Sequence, residues 1–63
     1  MIVAGLIRAA QTKVIINRAI IWNPNTSRAL YVGPVSEIPD KLKYKEVNSY
    51  RYSKEKKRMI IRI

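Results

Sequence analysis

Few side chains in this sequence could act on a substrate. Tyr50 and Lys54 stand four residues apart, a spacing that some dehydrogenases use on a helix to move a proton. Ser27, Ser36, Ser49 and Ser53 offer hydroxyl groups, and Glu37, Asp40, Glu46 and Glu55 are the only carboxylates. None of these has the partner its chemistry requires. The chain contains no His and no Cys, so no serine has an imidazole to activate it, and no thiolate nucleophile exists. The usual zinc sites are excluded for the same reason, and no disulfide can form. The segment around Tyr50 and Lys54 alternates like a strand, and two glycines cannot supply a dinucleotide-binding loop. The carboxylates are interleaved with lysines, which is the pattern of solvated charge pairs. The residues therefore point away from catalysis, and a non-enzymatic protein without a cofactor is expected.

What the chain has instead is positive charge. Thirteen Lys and Arg stand against four Asp and Glu, for a formal net charge of +9. No acidic residue precedes Glu37, so Arg8, Lys13, Arg18 and Arg28 have no sequence-local counterion. Lys54, Lys56, Lys57 and Arg58 form a denser cluster near the end. A surface of this kind attracts polyanions. The tract 54–58 is the leading candidate for an anion site, and Arg51 and Arg62 lie on the segments it joins and would extend the patch. Tyr50 and Tyr52 alternate with Arg51, an interleaving in which rings stack bases while cations hold phosphates. No cationic amphipathic helix is evident, and the apolar opening Met1 to Ile7 is too short to span a bilayer. A soluble, cytoplasmic protein without membrane association is expected.

These residues need a scaffold. A chain of 63 residues forms one small domain and buries only about 60% of the surface its unfolded form exposes. An apolar content of 48% is nonetheless too high for a disordered basic tail. Thr12 to Trp22 is rich in β-branched residues and reads as a strand with Val14, Ile16, Ile20 and Trp22 on one face and Arg18 breaking the row. Asn23-Pro24-Asn25-Thr26-Ser27 is a dense turn signal, followed by a returning strand over Arg28 to Val32 that Gly33-Pro34 ends. A short helical turn is expected from Ser36 to Leu42, with Ser36 as its cap and Pro39 in its first turn. Lys45 to Ser53 alternates again, with Tyr50 and Tyr52 on one side and Val47, Ser49 and Arg51 on the other. Lys54 to Lys57 makes a turn, and Arg58 to Ile63 forms a last strand with Met59, Ile61 and Ile63 on one face.

The first eleven residues fit a short helix or a strand, because Ile2, Leu6 and Ala10 share a helical face while Gly5 weakens the helix. The sum is a mainly β fold: a small antiparallel sheet of about four strands, built from two hairpins. So small a sheet has few residues to cover it. Trp22, Ile20, Met59 and Ile61 are therefore expected at an interface between copies in a homo-oligomer.

The segment Leu30-Tyr31-Val32-Gly33-Pro34-Val35-Ser36-Glu37-Ile38-Pro39-Asp40-Lys41-Leu42, with Glu46-Val47-Asn48-Ser49 and the terminal Met59-Ile60-Ile61-Arg62-Ile63, resembles a loose group of very short, mostly uncharacterised β-rich proteins. They are encoded by phages and prophages of Gram-positive bacteria. The resemblance covers roughly the last two thirds of the chain and defines no functional residue. Its members are commonly acidic in the connector and the last turn, where this chain carries Lys41, Lys43 and Lys54 to Arg58. What it implies is context: such proteins act by blocking a host enzyme, coating a nucleic acid or sequestering a nucleotide signal, and positive charge favours the last two. The expected function is an oligomeric binder of an anionic ligand, nucleic acid or nucleotide, that counters host antiviral defence. The alternatives are an inhibitor or adaptor docking on an acidic host protein and a structural assembly protein.

Overall fold

The computed structural model describes residues 1–23 and 25–63. Along the chain run helix α1 (Val3–Gln11), strands β1 (Arg18–Asn23) and β2 (Arg28–Pro34), a 3-10 turn (Val35–Glu37), helix α2 (Asp40–Lys43), and strands β3 (Ser49–Ser53) and β4 (Arg58–Arg62). The fold is mainly β, as the sequence implies. No helix among the described residues is long and apolar enough to cross a membrane.

The N-terminal segment resolves as a helix. Val3, Leu6 and Ile7 are buried and Ala10 is packed against the same core, so the apolar residues recur at the three- and four-residue spacing of one helical face. Gly5 sits on the exposed side, where it weakens the helix without disturbing the packing. The helix entrance is clipped to the chain before β3. Val3 N–H donates to Lys45 O (3.0 Å), Val47 N–H donates to Met1 O (2.8 Å), and the Met1 amino group meets Glu46 Oε2 at 3.0 Å.

Both hairpins form where the turn signals stand. In the first, Thr26 and Ser27 N–H donate to Asn23 O (both 3.1 Å), Asn25 N–H donates to Asn23 Oδ1 (2.9 Å), and Ser27 takes a left-handed φ of 53°. Pro24, expected in this turn, lies outside the described residues. In the second, Lys57 takes a φ of 51°. β2 runs on through Gly33 and Pro34 instead of ending before them. The Tyr31 ring folds over Gly33, so a Cβ at this position would stand 2.9 Å from the Tyr31 hydroxyl and push that ring aside.

The sheet order is β2-β1-β4-β3, and this is where the architecture departs from an all-antiparallel sheet. Each hairpin is antiparallel, but the inner strands β1 and β4 pair in parallel, Ala19 opposite Met59 and Ile21 opposite Ile61. The physical reason is the connector 35–48. It leaves β2 beside the start of β1, where Val35 N–H donates to Asn17 O (3.1 Å), and enters β3 at the far end, where Asn48 N–H donates to Arg62 O (2.8 Å). A connection that crosses the sheet in this way brings the inner strands into the same direction. On the way it buries Ile38 and Leu42. Neither short helix has a side-chain cap; the residues before them are Pro34 and Pro39, so Ser36 does not cap.

The expected strand Thr12 to Trp22 is correct only in its second half, where Arg18, Ile20 and Trp22 do share one face, but it is the face turned away from the core. Residues 12–17 form the loop from the helix layer to the sheet. Ile16 drops into the core within that loop, and Asn17 N–H anchors to Lys57 O (2.8 Å). The strand proper then buries Ala19 and Ile21 and turns Ile20 and Trp22 to the opposite face. Met59 and Ile61, expected between subunits, are 1% and 0% exposed within the single chain. They pack in a core shared with Val3, Leu6 and Ile7 of α1 and with Ile38 and Leu42. The helices therefore cover one sheet face, and that face needs no second copy.

Candidate functional site

Covering one face leaves the other bare. In a strand, alternate residues point to opposite faces and Cα partners on neighbouring strands point the same way, so the register fixes what the open face carries. It holds three rows. The first is Pro34, Arg18, Arg58 and Ser53; the second is Val32, Ile20, Ile60 and Arg51; the third is Trp22, Arg62 and Ser49, beside which a register shift between Ile21 and Trp22 interrupts the pairing with β2. Four arginines therefore share this face with one tryptophan and a short aliphatic stripe, and none of these positions is acidic.

The first row places Arg18 directly opposite Arg58 on the central parallel pair. Like charges in such positions destabilise a sheet. Nothing acidic offsets them: among the described residues the ion pairs are Met1 with Glu46 and Lys43 with Asp40 (3.5 Å), both away from this face. In the third row the Arg62 guanidinium carbon lies 4.7 Å from the centre of the Trp22 ring, within cation–π range. Beside this pair is a shallow depression of about 260 Å³ lined by Trp22, Ser49, Tyr50, Arg51, Ile60 and Arg62. Trp22 Nε1 and Arg58 Nε are buried with no hydrogen-bond partner among the described residues.

The structure brings together Arg51, Arg58 and Arg62, as the sequence suggests. Lys54, Lys56 and Lys57 lie in the exposed β3–β4 turn beyond the Arg18–Arg58 end of the sheet, with Lys57 O accepting from Asn17 and Arg18 N–H at 2.8 and 3.4 Å. They prolong the basic surface from that end. Tyr52 does not join it, and Tyr50 meets it only at the rim of the depression, at the sheet edge. Tyr50 and Tyr52 pair with Ile61 and Met59 and so point to the helix side. Tyr52 packs against the core and donates its hydroxyl to Ile15 O (3.1 Å), while Tyr50 is 58% exposed at the sheet edge. The alternation that places tyrosines between cations in the sequence separates them in space.

Trp22 and Ile20, expected at a subunit interface, are half-buried on the open face. Arg18 is the site residue that sequence reasoning did not single out. Its signal was the break it makes in an aliphatic row, and its place opposite Arg58 follows only from the parallel pairing. Compared with known proteins, the chain matches no family model, and no curated protein and no solved structure is significantly similar to it.

Proposed function

We propose that the protein is a non-enzymatic nucleic-acid-binding module that lays its open sheet face along a phosphate backbone. The observation that carries this reading is the concentration of Arg18, Arg51, Arg58 and Arg62 on one acid-free face, with Arg18 and Arg58 directly opposed. A face that keeps two guanidinium groups side by side without a carboxylate is suited to an external anion, and guanidinium forks match phosphate oxygens.

A free nucleotide fits less well. The depression beside Trp22, about 260 Å³, is smaller than the roughly 300–1,000 Å³ of ordinary small-molecule pockets. The cations are also spread over three rows instead of converging on one point. An extended polyanion uses all of them at once. Set among short phage proteins, which the last two thirds of the chain resembles, such a module would serve by covering nucleic acid or withholding it from a host defence.

The test is fluorescence anisotropy with a labelled oligonucleotide, comparing the native protein with a variant carrying Gln at positions 18, 51, 58 and 62. Binding that is lost in this variant and kept by Arg8→Gln on α1 supports the reading. Equal binding by both variants would refute the choice of face, and no binding by the native protein would refute the function.

A further inference from the structure

We infer that the strand taken by this face is single, with one of its bases stacked on the Arg62 guanidinium that rests on Trp22; the inference builds on the nucleic-acid reading and specifies its substrate. The width of the sheet excludes entry into a duplex groove. Four strands spaced about 4.8 Å apart put about 14 Å between the outer strand axes, before side chains are counted. The major groove of a DNA duplex is about 12 Å wide and admits a helix or a two-stranded ribbon. A sheet of order β2-β1-β4-β3 is too broad to enter it. A duplex would meet this face only along its outer phosphates, leaving Trp22 and its depression unused. A single strand has unstacked bases that can be laid on a sheet.

The third row carries chemistry suited to a single unstacked base. Trp22 holds the Arg62 guanidinium at 4.7 Å from its ring centre, while the Arg62 side chain is otherwise exposed. A planar guanidinium fixed on one side by an indole presents its other side for a second planar group, and guanidinium planes stack on bases. The depression alongside has space for one ring. Ser49 at its wall offers a hydroxyl to a base edge, and Arg51 offers a cation to the adjoining phosphate. From this row to the Arg18–Arg58 row is four residues along the strands, about 13 Å, which leaves room for the backbone to run from the base site to the paired arginines and on to Lys54, Lys56 and Lys57.

Trp22 is the only tryptophan in the chain, so the site reports on itself. Tryptophan emission and anisotropy are recorded with three probes of equal length: oligothymidylate, the same phosphodiester chain without bases, and a duplex. The expected result is quenching of Trp22 by oligothymidylate alone and tighter binding of it than of the abasic chain, by about 5- to 150-fold for one stacked base. Arg62→Lys, which keeps the charge and removes the planar fork, should lower oligothymidylate affinity to that of the abasic chain and leave the abasic chain unaffected. Unchanged binding of the abasic chain by Arg62→Lys shows that the loss is not a failure of folding, and Trp22→Phe, read by the anisotropy of labelled probes, keeps a ring under Arg62 and should retain most of the preference. Equal affinity for abasic and base-bearing chains with unchanged emission would overturn the stacking site and leave the nucleic-acid reading standing. Preference for duplex would overturn the single-strand assignment. No binding to any probe would end both.

Discussion

Opposing Arg18 and Arg58 should cost this protein stability, and removing one of them should return it. Their Cα atoms are partners on adjacent strands, about 4.8 Å apart, and their flexible stems allow the charged heads to splay to about 7 Å. At that distance the repulsion is about 0.6 kcal/mol in water-like surroundings and about 2.4 kcal/mol at an effective dielectric near 20. Arg18 is exposed and Arg58 half-buried, so the lower part of that range applies. Arg18→Gln is therefore expected to raise the unfolding free energy by about 0.5–1 kcal/mol at low ionic strength, read from urea denaturation. The gain should fade towards 1 M salt, where the screening length falls to about 3 Å. In a background already carrying Arg58→Gln, Arg18→Gln should give no gain. A destabilised Arg18→Gln, or a gain indifferent to salt and to residue 58, would refute the reasoning that these two cations are juxtaposed and unpaired.

Other consequences are open to measurement. The affinity for a single strand should fall with salt at a logarithmic slope of about −3 if the four face arginines each meet a phosphate, and Arg51→Gln should reduce that slope by about 0.7. Ile61→Ala removes a fully buried side chain from the central parallel pair and should cost about 2–5 kcal/mol in urea unfolding, enough to leave so small a domain largely unfolded. Tyr52→Phe removes the hydroxyl donated to Ile15 O and should lower stability by about 0.5–1.5 kcal/mol without changing oligonucleotide affinity, because Tyr52 faces the helices. Lys57→Gly should raise the melting temperature modestly, since a left-handed φ of 51° costs a lysine about 1 kcal/mol or more that glycine avoids.

Much of the scaffold is legible from local signals. The Asn-rich and Lys-rich turns and the alternation of Met59 and Ile61 encode what they do within a few residues. The direction of the inner pairing is not local. It follows from a connector that crosses the whole sheet, and neither hairpin carries a mark of its neighbour's direction. Which face of β1 turns inward was also illegible, because Val14, Ile15, Ile16, Ile20 and Ile21 fill both parities and alternation cannot choose between them. Asn17 and Arg18 mark the break where the loop ends, and only the clamp of Asn17 to Lys57 and Val35 fixes which parity goes inward. The site was legible in the same measure. Arg51, Arg58 and Arg62 come together because period-two spacing aligns them across one hairpin. Tyr50 and Tyr52 fall away by the same rule, since neighbours in a strand cannot share a face. Arg18 joins them through the parallel pair, and Trp22 shares the face of Arg18 by the same period-two rule.

The claim that most needs testing is that the open sheet face, and not the helix side, is where the polyanion sits. The arginine Nε–Hε resonances of an isotope-labelled sample answer it directly during titration with a short single-stranded oligonucleotide. The signals of Arg18, Arg51, Arg58 and Arg62 should move together and saturate at one stoichiometry, while that of Arg8 on α1 stays in place. Movement of Arg8 with stationary signals from the four face arginines would contradict it.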